Sequence, residues 1–126
     1  MAEIVIIKDA ENPWEEPPAA WSRKAKDGEP SLRFKRLLPG ASGRPNMQRT
    51  QYEPHHHEPP HSHPEDEVLF VLAGTVMFGR EELGAGDSLF IPRDKRYSLR
   101  TGETGVEFLR VGLSDLAPPT REDDPA

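Results

Sequence analysis

Residues 61–74 of the 126-residue chain have the sequence HSHPEDEVLFVLAG, which is the most informative part of the chain for its fold. A His-x-His pair is followed by an acidic run, six consecutive apolar residues (68–73) and a glycine. An apolar run of this length before a glycine predicts a buried β-strand. Because alternate residues of an extended chain share a face, His61, His63 and Glu67 are predicted to point to one side.

The rest of the chain predicts further short strands separated by turns. They are expected at residues 4–7, 32–38, 46–53, 75–78, 88–91, 97–100 and 106–112. No segment has a sustained helical apolar period, and the 14 prolines and 10 glycines argue against a helix bundle. The sequence therefore predicts a single all-β domain, either a sandwich or a barrel.

The composition excludes several classes of protein. Cysteine is absent, which excludes a disulfide framework, a thiolate metal site and a cysteine nucleophile. The net charge is -6, and no basic face for nucleic acid is evident. No apolar run approaches the roughly 18 residues that span a bilayer. Residues 1–7 carry an acid and no basic leader, unlike a signal peptide. We therefore expect a cytoplasmic protein with no nucleic-acid or membrane partner.

All five histidines lie between residues 55 and 63. Two imidazoles and one carboxylate on one inner face would form a donor set for a divalent metal, with coordination positions left open. That set suits Fe2+, Mn2+, Ni2+, Cu2+ or Zn2+. The alternative is that the histidines form a surface loop between Pro54 and Pro64, and that Glu67 continues an acidic turn. The spacing alone leaves both interpretations open.

Two spacings in the chain resemble the signatures of the cupin superfamily. Residues 61–74 match the first signature, H-x-H-x3-4-E-x6-G, and Gly86 and Pro92 match the opening of the second, G-x5-P. The resemblance covers about residues 45–112. It implies a small antiparallel β-barrel of the jelly-roll type, with a metal ion at its open mouth. It also implies a homodimer, in which an N-terminal strand pairs with the sheet of the partner.

The composition and the resemblance together predict a division of the chain into three parts. Residues 1–30 would form an N-terminal strand and an irregular arm that packs on the barrel or on a partner subunit. Residues 31–116 would form the cupin barrel, and residues 117–126 a flexible tail rich in acids and proline.

The second signature is incomplete, which leaves the fourth metal ligand open. Its histidine position holds Tyr97, so the third histidine of the family pattern is missing. Tyr97 would coordinate as a phenolate, or leave the position to water or substrate. In a third arrangement His57, which has the same parity as His61, supplies the imidazole. A metal-free binding pocket is the fourth alternative.

Other polar residues are candidates for the site, although their spacing is less specific than that of the predicted metal ligands. His57 would also serve as a general acid or base above the metal, whereas His55 and His56 are expected at an exposed rim. Arg49 and Gln51 share parity on the preceding strand, so they either face inward to hold a substrate carboxylate or form a polar outer face.

Two functions follow from these observations. One is a metal-dependent enzyme that acts on a small oxygenated or carboxylated substrate, with dioxygenase, isomerase, decarboxylase or lyase chemistry implied by the family. The other is a non-catalytic cupin that binds a small ligand or stores a metal. The missing third histidine favours the second, and the complete His-x-His and glutamate favour the first.

Overall fold

A computed structural model describes residues 3–16, 31–38, 44–113 and 120–121 of the chain. The described strands are β1 (Leu32–Leu38), β2 (Pro45–Tyr52), β3 (His57–Ser62), β4 (Glu67–Phe78), β5 (Glu81–Gly84), β6 (Ser88–Ile91), β7 (Tyr97–Arg100), β8 (Val106–Leu113) and β9 (Thr120–Arg121). One short 3-10 helix, Asp9–Glu11, precedes them. The all-β prediction is therefore confirmed. None of the described helices is long and apolar enough to cross a membrane.

The strands form one curled antiparallel sheet of the jelly-roll type, in the order β1-β2-β8-β4-β7-β3-β9. The long strand β4 connects its two halves. Its first part pairs with β8 and β6, and its last four residues pair with β5. The strand bends at Gly74, whose φ is +75°. A Cβ there would lie 2.0 Å from the carbonyl oxygen of Gly105, so both the conformation and the close approach require glycine.

The core lies on the concave face of this sheet. It contains buried apolar residues from five strands: Tyr52, Leu69, Val71, Val76, Ile91, Tyr97, Leu99, Val106 and Phe108. Along the first half of β4 the side chains alternate between buried and exposed. The prediction of a wholly buried strand was therefore wrong, because Phe70 of β4 and its neighbour Phe90 of β6 point away from the core. These two side chains lie on the convex face, where they are 42% and 59% exposed.

The N-terminal segment differs from its prediction. Residues 4–7 form no strand within the described chain, and Ile4 is 93% exposed. The following residues lie against the convex face of β1. Glu15 forms a backbone bridge with Phe34, and the ring of Trp14 lies under cationic side chains of the first two strands. The rest of the predicted arm, residues 17–30, lies outside the described residues.

Strand β3 was not predicted, because Pro59 and Pro60 stand within it. It pairs with β7, and the register shifts between Glu58 and His61. Three steps along β3 therefore match two steps along β7, which is a β-bulge. Proline is tolerated at such a position because the ladder hydrogen bond is already missing there.

Candidate metal centre

The three predicted metal ligands lie together where β3 ends and β4 begins. The rings of His61 and His63 are 5.0 Å apart between centroids. Nε2 of His63 lies 4.0 Å from Oε2 of Glu67. His61 is 5% exposed and Glu67 1% exposed, so the parity prediction placed them correctly on the inner side. Within the described part of the chain, however, no three acidic or imidazole side chains are arranged to hold an ion without adjustment.

His61 is oriented for coordination by its own backbone. Its Nδ1 lies 2.8 Å from the carbonyl oxygen of Pro59. Because a carbonyl oxygen only accepts, Nδ1 is the nitrogen that carries the hydrogen. The lone pair of the neutral ring is then on Nε2. Histidines that bind metals commonly donate their other ring N–H to such an acceptor.

Glu67 has one engaged oxygen and one without a partner. Oε2 accepts a hydrogen bond from Nε of Arg110 at 2.5 Å. Oε1 is buried and has no hydrogen-bond partner. An unpaired buried acceptor costs about 1–3 kcal/mol, and more when it is charged. A cation bound at Oε1 would remove this cost, so the side chains present fit a divalent metal ion.

Arg110 was missed by the sequence analysis, although it organises the carboxylates. Its guanidinium also pairs with Glu65 and donates to Oδ1 of Asn46 at 2.9 Å. Burial would lower the pKa of Arg110, but the adjacent Glu67 and Glu65 raise it above its usual value. A signal was present in the sequence. Arg110 is a charged residue in the largely apolar strand β8, and unlike the other charge, Glu107, it has the same parity as the buried Phe108.

Glu65 is the second carboxylate of this network. Asn46 donates to its Oε2 at 3.1 Å. A Cβ on Gly112 would lie 2.9 Å from the Glu65 carboxyl group, so the glycine provides the space for it. The sequence shows Glu65 only as part of an acidic run, because its contacts come from distant parts of the chain.

Tyr97 stands directly opposite His61 in the register of β3 and β7. The two ring centroids are 4.6 Å apart, and Tyr97 is 8% exposed. Burial raises the pKa of Tyr97 well above its usual value, and the negative charge of Glu67 and a hydrogen bond with this carboxylate raise it further. In the metal-free chain the phenol is therefore neutral and can donate a hydrogen bond.

The predicted positions of the adjacent histidines were wrong. His57 is exposed, whereas His56 has a fully buried side chain. The cause is the bulge at Pro59 and Pro60, which reverses the alternation between His57 and His61. His57 therefore does not join the predicted ligands, while His55 is exposed as expected.

Arg49 and Gln51 do not face the interior. Both lie on the convex face of β2 and contact Glu107, Arg49 through Nη2 at 2.9 Å. Their neighbours Thr50 and Tyr52 take the inward positions. Because side chains alternate along a strand, Arg49 and Gln51 point outward when Thr50 and Tyr52 point inward. The alternative of a polar outer face is therefore correct for Arg49 and Gln51.

Comparisons with known proteins agree with this architecture. The family model described as "Cupin domain" matches residues 48–112. The polyketide cyclase RemF from Streptomyces resistomycificus has a similar structure, with a TM-score of 0.75 and 23% sequence identity. The alignment covers 98% of this chain and 88% of RemF. A search of curated proteins finds no match.

Two further structures of similar fold have other activities in their names. One is the DMSP lyase DddQ from Ruegeria pomeroyi, with a TM-score of 0.73, 24% identity, and coverage of 90% of this chain and 62% of DddQ. The other is a candidate acetylacetone dioxygenase from Methylibium petroleiphilum, with a TM-score of 0.77, 16% identity, and coverage of 96% and 82%. At these identities the similarity establishes the fold alone.

Proposed function

The chain belongs to the cupin family, and we propose that it is an enzyme that binds one divalent metal ion through His61, His63 and Glu67. The unpaired, buried Oε1 of Glu67 is the observation that carries this proposal. Fe2+, Mn2+, Ni2+, Cu2+ and Zn2+ all suit two imidazoles and a carboxylate. The substrate would be a small oxygenated or carboxylated molecule, in line with the small-molecule chemistry named for the cyclase, the lyase and the dioxygenase of similar fold.

The charges around the site also favour a cation. Two carboxylates, Glu65 and Glu67, share the single guanidinium of Arg110. When both acids are ionised, this group of three carries a net negative charge in a largely buried place. Buried charge is costly unless it is compensated. A divalent ion beside Glu67 would supply the compensation.

The residues around the site would divide the work of catalysis. When bound, the metal supplies Lewis acidity or a site for dioxygen, which polarises or oxidises the substrate. Tyr97, a neutral phenol that is hydrogen-bonded to Glu67 in the metal-free chain, would donate instead to a substrate oxygen once the metal engages the carboxylate. The apolar core residues Leu69, Leu99 and Phe108 keep water from the inner side. Arg110 holds Glu67 and does not contact the substrate.

Turnover of a substrate panel tests whether the protein is an enzyme. Protein loaded with each metal is offered small phenolic, dicarbonyl and carboxylate compounds, and oxygen uptake and product formation are measured. We expect turnover that requires a metal and falls more than about 100-fold in His61→Ala. His57→Ala, at an exposed position, serves as the control and should retain activity. If the metal-loaded wild type binds compounds without converting any of them, the non-catalytic alternative is correct.

We also propose that the chain forms a homodimer through the convex face of its sheet. Four exposed apolar side chains form a convex patch on β4 and β6: Val68, Phe70, Leu72 and Phe90. The apolar residues 4–7 are exposed as well. Monomeric proteins seldom leave such surfaces uncovered. A second copy is a suitable partner because a two-fold axis brings the same patch against itself.

Light scattering tests the dimer. The wild type is expected at twice the chain mass of 14.2 kDa. Phe90→Asp places a charge in the convex patch and should give a monomer. Arg80→Asp, in the exposed turn after β4, is the matched control and should remain dimeric. A wild-type mass equal to that of one chain would contradict this proposal.

A further inference from the structure

A chain of buried polar side chains leads from β1 to the candidate metal ligand His61. Oγ of Ser31 lies 2.6 Å from Nδ1 of His56. Nε2 of His56 lies 3.3 Å from Oε2 of Glu58. The other oxygen of Glu58 lies 4.0 Å from Nδ1 of His61. All four residues are at most 5% exposed.

His56 is held rigidly by its surroundings. Its backbone N–H donates to Oγ1 of Thr101 at 2.9 Å, and its carbonyl accepts from the Thr101 N–H at 2.9 Å. Its ring lies against Tyr52, with 4.2 Å between the ring centroids. A side chain fixed in this way presents Nε2 to Glu58 in one position.

The bulge in β3 places Glu58 on the inner side. The shift at Pro59 and Pro60 allows Glu58 and His61, three residues apart, both to be buried. Without it, the alternation of a strand would separate them onto opposite faces. The two prolines thus bring a carboxylate behind the ring of a metal ligand.

The serine, histidine and glutamate resemble the members of a nucleophilic triad, but the burial excludes that role. Ser31 is 1% exposed, so a substrate cannot reach its hydroxyl group. Of these three residues, Glu58 is the one that approaches the candidate metal centre. The arrangement therefore acts on His61 and not on a substrate.

We propose that Glu58, held by His56, is a positioning residue for the metal ligand His61. The carbonyl of Pro59 accepts the Nδ1 hydrogen at 2.8 Å, and the negative charge of Glu58, 4.0 Å from Nδ1, adds to the preference for this tautomer, which leaves the lone pair on Nε2. This charge also strengthens the basicity of Nε2, as carboxylates behind metal-bound histidines do. This inference rests on the proposed function, and it assigns a role to one histidine of the 55–57 triplet that is not a ligand.

The first part of the test uses metal-free protein. Nitrogen-15 NMR of the imidazole rings at alkaline pH reports the tautomer of each neutral histidine. We expect His61 to carry its hydrogen on Nδ1 in the wild type, and this preference to weaken in Glu58→Gln. His56→Gln should act in the same direction. His57→Gln, the exposed neighbour, is the matched control and should leave the His61 signals unchanged.

The second part uses Co2+ as the probe metal. We expect Glu58→Gln to weaken Co2+ binding about 10- to 100-fold and to shift the absorption bands of the bound ion. His57→Gln should change neither. If the wild type binds no Co2+, the proposed function fails, and the tautomer measurement alone decides the role of Glu58. An unchanged His61 tautomer in both Glu58→Gln and His56→Gln overturns the inference, whatever the metal does.

Discussion

Arg110→Met is expected to lower the free energy of unfolding of the metal-free chain by about 3–5 kcal/mol, because breaking a buried ion pair leaves uncompensated charge. Here two carboxylates are left, since Glu65 and Glu67 both rely on this guanidinium. The methionine keeps much of the side-chain volume, so the lost charge dominates the effect. Chemical denaturation in the presence of a chelator measures it.

Divalent metal should restore a larger part of the stability in Arg110→Met than it adds to the wild type. In the variant, Glu67 has lost its competing partner and its charge is available to the ion. Arg49→Met is the matched control, because Arg49 pairs with Glu107 on the convex face and is 32% exposed in its side chain. That change should cost no more than about 1 kcal/mol. Equal losses in the two variants would refute the role of Arg110.

Glu67→Gln is expected to abolish most of the metal affinity. The loss should exceed the roughly 10- to 100-fold that is caused by substituting a residue that only hydrogen-bonds to a metal ligand. The amide has almost the same shape, but it lacks the negative charge that a divalent ion requires here. The metal-free chain should lose much less stability than with Arg110→Met, because Arg110 keeps its pairing with Glu65. Calorimetric titration with Mn2+ and Zn2+ measures the affinity.

Glu65→Gln is the matched control for this prediction. It removes one carboxylate charge that pairs with the Arg110 guanidinium, as Glu67→Gln does, but it leaves Oε1 of Glu67 in place. Metal affinity should therefore fall far less than in Glu67→Gln. Equal losses in the two variants would mean that the net charge of the network, and not coordination by Glu67, determines the binding.

The candidate ligands that the sequence predicted are joined by short spacing. His61, His63 and Glu67 lie within seven residues, and the structure brings them together across a bend at residues 63–66 that joins β3 to β4, not along one strand. Tyr97 was found through the second signature, although its register opposite His61 required the structure. The sequence predicted that the strand ends at Gly74 and that a separate strand follows at residues 75–78. Instead β4 continues through Gly74 with a bend, at a position where no side chain fits.

The parts that the sequence did not predict depend on distant contacts or on a break in alternation. Arg110 and Asn46 reach the site from strands that are far from Glu67 in the chain, so no local spacing reveals them. His56 and His57 exchanged their expected positions because one bulge reversed the alternation beyond it. Phe70 was expected in the core because it lies in the apolar run that predicts a buried strand. The composition of such a run does not distinguish a strand buried on both faces from one with an exposed face.

The most direct test of a metal centre at His61, His63 and Glu67 is the metal content of untagged protein. The wild type, reconstituted with a divalent transition metal and desalted, is predicted to retain about one equivalent, and His61→Ala is predicted to lose it. Wild-type protein that retains less than about a tenth of an equivalent of every metal offered would contradict the account.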